Sequence, residues 1–242
     1  MNKQGIFEVA DNRLIARDVW ELTLLGDTSS IRHPGQFVDI RLHGLFLRRP
    51  ISVCTWDEQS MRLIYKVVGK GTASLSQCIK GDRLDMLTGL GNGFSIEPAR
   101  KKRIALIGGG VGVPPLYGLM QKLQGEDVHC VLGFNTADDV FYVKEFEALG
   151  ARVTVTTMDG SHGMKGVVTD VLKQINYDYY FACGPEPMLG AVHRLGGEGQ
   201  LSFEARMGCG FGACMGCSCK TIAGSKRICL EGPVMESGEV VL

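Results

Sequence analysis

The sequence predicts an α+β chain in three parts: an antiparallel β-barrel over residues 1–100, a doubly wound α/β nucleotide domain over 101–195, and a small metal-holding segment over 196–242. Three observations point there. Short, often alternating apolar runs separated by Gly and Pro fill the first part, and apolar strands alternating with helical stretches fill the second. The third holds five cysteines, Cys209, Cys214, Cys217, Cys219 and Cys229, in a glycine-rich stretch.

Composition excludes several classes. At 242 residues, 45% apolar and 21% charged, the chain is neither disordered nor fibrous, and it is long enough to bury a real core. No run reaches the length of a membrane span, and Met1-Asn2-Lys3-Gln4-Gly5 lacks the apolar stretch of a secretory signal, so the expected location is the cytosol. Twenty-six basic against 26 acidic residues leave no net field, so neither nucleic acid nor a membrane is the expected partner. The 33 glycines, about twice the usual roughly 7%, suit a backbone that turns tightly around ligands. Nine cysteines in a cytosolic chain point to metal or redox chemistry rather than disulfides.

In the first part, Phe37 to Leu42 and Met61 to Val68 alternate as barrel strands, and Thr72 to Ile79 is the one helix expected, capped by Thr72. In the second, strands are expected at Arg103 to Ile107, His129 to Gly133, Arg152 to Thr156 and Tyr179 to Cys183. Helices are expected near Pro115 to Leu123, Lys144 to Leu149, Val167 to Gln174 and after Pro185, which gives a parallel sheet with ligands at the carboxyl ends of its strands. The third part shows little periodicity and too few large apolar residues to fold alone, so a metal centre is expected to hold it.

The spacing Cys209-x4-Cys214-x2-Cys217, with Cys229 as a fourth thiol, is that of plant-type [2Fe–2S] clusters, and the interleaved glycines offer close backbone N–H groups to sulfur. Structural zinc is the rival, but Cys214 and Cys217 have no matching second pair. Cys219 is expected as a small packed residue beside the centre rather than a ligand.

Arg49-Pro50-Ile51-Ser52 ends an extended stretch, where a guanidinium can pair with a pyrophosphate and a hydroxyl can bond a ring nitrogen. Gly69, Gly71 and Thr72 lead into the helix, whose N-terminus suits a phosphate. Gly108-Gly109-Gly110-Val111-Gly112 follows a strand and precedes a helix, as a dinucleotide-binding turn does without the strict fingerprint. Cys183-Gly184-Pro185 makes a second strand-to-helix turn; Cys183 is either a buried thiol or a neighbour of a nicotinamide. Asn135, Asp138 and Asp139 supply acceptors with no nearby Arg or Lys before Lys144, which favours the ribose hydroxyl of NAD over the phosphate of NADP. His33, His43, His129, His162 and His193 are scattered and form no triad.

In this order the motifs resemble the ferredoxin–NAD(P)+ reductase superfamily over essentially the whole chain. The C-terminal Cys-Gly-x-Gly-x-Cys-Met-Gly-Cys with a following Gly-Pro-Val resembles one branch, the electron-transfer subunits of type B dihydroorotate dehydrogenase. Ile51 stands where many members carry an aromatic, and the short interval from Cys217 to Cys229 excludes an independent ferredoxin domain.

The resemblance implies that Arg49 and Ser52 contact FAD with Pro50 and Ile51 lining it, and that Gly69, Gly71 and Thr72 meet its pyrophosphate. It implies that Gly108, Gly109, Gly110 and Gly112 face NAD, that Cys183, Gly184 and Pro185 approach the nicotinamide, and that Cys209, Cys214, Cys217 and Cys229 hold the cluster. The implied partner is an FMN-containing catalytic subunit, two of each in a heterotetramer. Electrons would pass from its FMN through the cluster and FAD to NAD+ in pyrimidine biosynthesis. Because the cluster segment is glycine-rich, Phe211 and Met215 are candidates either for docking contacts or for packing around the cluster. The same modules would also suit a subunit of a hydrogenase, sulfide dehydrogenase or transhydrogenase complex. A zinc-stabilised, non-catalytic binding module is the alternative from another class.

Overall fold

The structure, a computed structural model, describes residues 2–242. Six antiparallel strands close a barrel in the order β1 (Lys3–Ala16), β2 (Val19–Leu25), β5 (Ser60–Lys66), β4 (Arg49–Trp56), β3 (Phe37–Ile40) and β6 (Arg83–Leu90). Closure follows from the alternation that the sequence carries. Val38 and Ile40 on β3 enter the barrel core with Leu22, Leu63 and Met86, while Phe37 packs outside it. The helix of this part, α1 (Lys70–Leu75), is shorter and earlier than expected. Thr72 is not its cap: it lies inside the first turn, and its Oγ accepts from the Val68 backbone N–H at 2.9 Å.

A second, seven-stranded sheet has the order β10 (Met164–Lys165), β9 (Arg152–Thr157), β8 (Asp127–Phe134), β7 (Arg103–Gly109), β11 (Tyr179–Cys183), β12 (Gly199–Ser202) and β15 (Val234–Glu236). All neighbours are parallel except β12 and β15. Helices α2 (Val113–Lys122), α3 (Val143–Ala148), α4 (Val168–Leu172) and α5 (Glu186–Arg194) make the crossovers. The strand order reverses between β7 and β11, so their carboxyl ends open the crevice where such sheets bind ligands.

The stretch 196–242 is not an appendage tied down by metal alone. Its β12 and β15 extend the large sheet, and only β13 (Ser218–Thr221) and β14 (Gly224–Arg227) form a separate hairpin. Cys217, Ile228 and Cys229 are buried in a core shared with Phe37 and Leu90 of the barrel and Tyr180 and Leu189 of the sheet domain. The few large residues of this stretch therefore pack onto surfaces supplied by the other two parts.

Barrel and sheet meet through α2. Gly118 lies so close to β4 that a Cβ there would fall 2.3 Å from the Cys54 carbonyl oxygen, and Leu116, Leu119 and Cys54 share one core. Buried polar groups fix the contact: Tyr142 Oη donates to Glu21 at 2.6 Å, and Arg17 and Lys66 pair with Asp139 at 2.7 and 3.3 Å. No helix among the described residues is long and apolar enough to cross a membrane.

Candidate functional site

Two cavities and a sulfur-lined loop lie in sequence across the molecule. The first cavity, about 340 Å³, opens between the barrel and the C-terminal stretch and is lined by Arg49, Pro50, Ile51, Ser52 and Thr72. Its far wall is Phe203, Glu204, Ala205 and Met207. All four residues of the Arg-Pro-Ile-Ser element thus face one space. Gly71 does not line it but lies directly beneath the Arg49 side chain, whose Nη1 donates to the Leu47 and Arg48 carbonyls at 2.7 and 3.1 Å. Gly69 is exposed at the helix start, outside the lining. Arg48, the other half of the basic pair, is taken up by Asp85 at 3.0 Å.

The second cavity, about 370 Å³ and largely apolar, lies over the carboxyl ends of the parallel strands. Gly109, Gly110 and Pro185 line it, while Gly108 and Gly112 serve packing. A Cβ on Gly112 would fall 2.2 Å from the Cys183 carbonyl oxygen, so only glycine lets the two turns touch backbone to backbone. Cys183 and Gly184 sit behind that contact rather than in the lining. Burial pushes the Cys183 thiol up to about 12, Glu204 adds to the rise, and Ser202 partly offsets it. Cys183 is therefore a neutral thiol at neutral pH.

Of the three expected ribose acceptors, Asn135 and Asp139 line this cavity and Asp138 does not. The expectation that no cation stands near them fails, because Arg17 and Lys66 reach across from the barrel. Burial works to raise the Asp139 carboxyl, and the two cations outweigh it and hold it below the ordinary range. Thr156 Oγ1, fully buried at the floor of the cavity, meets no protein partner, which leaves a hydroxyl for a bound molecule.

Lys66 and Val111 line both cavities, so the two spaces meet at the end of β5 and the glycine turn. Sequence reasoning did not single out Lys66, Val68, Thr156 or Glu204. Lys66 carried a local signal, as the end of an alternating strand just before Gly69, but nothing local marks Glu204. The Glu204 side chain is reached by solvent through the cavity mouth, yet protein flanks it closely enough that burial raises its carboxyl. None of the five histidines lines either cavity.

At the C-terminal loop the four expected thiols stand as two pairs. Backbone N–H groups of Ala213 and Cys214 donate to Cys209 Sγ at 3.2 and 3.4 Å, and the Cys229 N–H donates to Cys217 Sγ at 3.4 Å. Burial works to raise Cys209, but the N–H donors of Cys214, Phe211 and Ala213 and the Cys214 thiol bring it down to about 6. Burial and then Cys217 push Cys229 up to about 12.

Among the described residues no three His, Cys, Asp or Glu groups converge as one ion would require. Two thiol pairs with N–H donors fit a two-iron centre, which takes two thiolates per iron, better than one tetrahedral zinc. Cys219 stands apart, its Sγ 3.8 Å from Met235 Sδ, as expected of a packed residue.

Comparison with known proteins agrees with this geometry. The model of the iron–sulfur cluster binding domain of dihydroorotate dehydrogenase B matches residues 204–241, and that of the oxidoreductase NAD-binding domain matches 106–194. The dihydroorotate dehydrogenase B (NAD(+)) electron transfer subunit of Geobacillus sp. (strain WCH70) is 43% identical over 100% of both chains. That of Geobacillus kaustophilus (strain HTA426) is 47% identical over 97% of each. The chain belongs to this family of electron transfer subunits. A solved NADH-dependent reduced ferredoxin-NADP oxidoreductase matches at a TM-score of 0.86 and 32% identity, covering 98% of this chain and 90% of its own. The flavohem-like FAD/NAD binding domain of Vibrio cholerae nitric oxide dioxygenase, at 20% identity and a TM-score of 0.70 over 79% of this chain and 93% of its own, shares the fold. In the family member described here, barrel, sheet and cluster loop thus follow a reductase architecture with the iron–sulfur stretch added at the C-terminus.

Proposed function

We propose that this chain is the NAD-linked electron-transfer subunit of a dihydroorotate dehydrogenase, carrying electrons between an FMN-containing catalytic subunit and NAD+ in pyrimidine biosynthesis. The observation that carries it is the line-up of three sites: a nucleotide cavity and a flavin-sized cavity that meet at Lys66 and Val111, with the thiol loop packed on the barrel beyond them. FAD in such a place exchanges two electrons as hydride with a nicotinamide and one at a time with a [2Fe–2S] centre.

The residues of the chain then bind and orient. Arg49 and Thr72 hold the flavin phosphates, and Pro50, Ile51 and Ser52 line the ring. Gly109, Gly110 and Pro185 shape the nucleotide cavity; Gly108, Gly112, Cys183 and Gly184 keep its two turns in register, and Gly69 and Gly71 leave room at the helix start. Cys209, Cys214, Cys217 and Cys229 hold the cluster, whose loop exposes Phe211 and Met215 to the partner. FAD is assigned to residues 1–100, NAD to 101–195 and the cluster to 196–242, in a cytosolic assembly of two copies of each subunit.

In this reading the two cavities and the thiol loop are taken up by nucleotide, flavin and cluster, so dihydroorotate is oxidised by the partner. Purified alone, the chain should oxidise NADH with an artificial acceptor and leave dihydroorotate untouched. Mixed with the catalytic subunit it should confer NAD+ reduction by dihydroorotate. Orotate formation by this chain alone, or no gain in NAD+ reduction on adding the partner, would overturn the assignment.

A further inference from the structure

Asp39 stands in the middle of β3, where the strand separates the barrel from the cluster loop. It shares the outer face of that strand with Phe37, which lines the flavin cavity and packs in one core with Cys217 and Cys229. It is 2% exposed. Its Oδ2 lies 2.6 Å from where a Cβ on Gly210 would stand, and Gly210 has φ +76°, so the loop turns directly against the carboxylate one residue after Cys209. Oδ1 meets no protein donor. Neither neighbouring arginine forms an ion pair with it: Arg48 is held by Asp85 and donates only to the Asp39 main-chain carbonyl, at 3.3 Å, and Arg49 Nη1 is turned to the Leu47 and Arg48 carbonyls.

We infer that Asp39 is a positioning residue whose buried, unpaired carboxylate lowers the reduction potential of the iron–sulfur centre held by the loop that Gly210 begins. The inference rests on the cluster assignment made above. Adding an electron to the centre adds negative charge, and net charge, hydrogen bonding and solvent exposure set such potentials. A carboxylate that is buried and not ion-paired acts on that added charge more strongly than one exposed to water. Burial brings the Asp39 carboxyl up to about 6, with Arg48 and Arg49 acting the other way, so at pH 8 it is ionised. A low potential at the cluster favours onward transfer to the flavin side, which gives a costly buried charge a use in the reaction direction proposed here.

The experiment is a redox titration at pH 8 of the purified full chain carrying FAD and cluster, followed by the electron paramagnetic resonance of the reduced centre. Asp39→Asn should favour reduction of the centre about tenfold, a rise of roughly 59 mV for one electron. Iron, sulfide and FAD contents should stay at the parent level, and Asp39→Glu should retain most of the parent potential. An unmoved potential in a fully loaded Asp39→Asn protein would overturn the inference, as would equal shifts in the Asn and Glu variants, which would mark packing as the cause. If Asp39→Asn does not load, Asp39→Ser gives the same readout, and failure of both neutral variants to load would also overturn it. A parent protein without iron and sulfide would instead overturn the cluster assignment.

Discussion

Arg49 passes over Gly71 so closely that a Cβ on Gly71 would fall 2.2 Å from Arg49 Nε and 2.9 Å from its Cδ. The glycine is thus a seat for the arginine that lines the cavity proposed for FAD, and two sequence elements more than twenty residues apart act as one. Gly71→Ala should leave the barrel folded but push the guanidinium aside and weaken FAD binding by about 1–2 kcal/mol. Arg49→Ala should cost roughly 2–5 kcal/mol of affinity through loss of a charge pair. Fluorimetric FAD titration of the stripped proteins measures both, and full affinity in the Arg49 variant would reject its phosphate contact.

Asp39 also makes a prediction about stability and pH. Its carboxyl rises from 3.8 to about 6 on folding, because burial disfavours the charge more than Arg48 and Arg49 favour it. A raised carboxyl contributes stability that is fully present below about pH 4 and lost as pH climbs through 6. The size corresponds to about 3 kcal/mol. Asp39→Asn, which never ionises, should therefore gain on the parent protein between pH 5 and pH 8. Urea unfolding of both proteins at the two pH values measures the difference, and a constant gap would contradict it.

Much of this was legible because the signals are local. The alternation in Phe37 to Leu42 and in Met61 to Val68 gives strands whichever way they pair, and the cysteine spacing gives a cluster loop without its surroundings. The elements that slipped depend on distant partners. Gly199 to Ser202 and Val234 to Glu236 are too short to show a period, and become strands only because β11 offers an edge and β12 then pairs antiparallel with β15. Asp139 looked like a free ribose acceptor because nothing near it in sequence shows that Arg17 and Lys66 arrive from the barrel. Glu204 and Thr156 were missed for the same reason: their interest lies in a cavity wall assembled from several strands.

The Tyr142–Glu21 hydrogen bond ties the sheet domain to the barrel at a buried point, where Arg62 Nη1 also donates to Tyr142 Oη at 3.2 Å. Tyr142→Phe removes the hydrogen-bond donor on Glu21 Oε2 and leaves that oxygen only the looser ion pair with Arg62 Nε at 3.7 Å, while Oε1 keeps Arg13 at 2.6 Å. The loss should be about 1–3 kcal/mol of folding stability. Chemical denaturation measures it. A change below 0.5 kcal/mol, the scale of ordinary surface substitutions, would mean the pair does not hold the interface.

The cysteines offer the sharpest contrast, because five of them lie within one short stretch and only their geometry separates them. Cys214 is exposed at the loop tip, and its backbone N–H joins that of Ala213 in donating to the sulfur of Cys209. Cys219, two residues after the buried Cys217, points to Met235 instead. Cys214→Ser should therefore lose the iron–sulfur absorbance and most iron and acid-labile sulfide while keeping FAD, since the flavin cavity contains no cysteine. Cys219→Ser should keep all three. NADH oxidation with a two-electron artificial acceptor should survive in both variants, whereas NAD+ reduction by dihydroorotate with the catalytic subunit should fail only in the Cys214 variant. Unchanged iron in Cys214→Ser, or its loss in Cys219→Ser, would show that the wrong sulfurs have been paired.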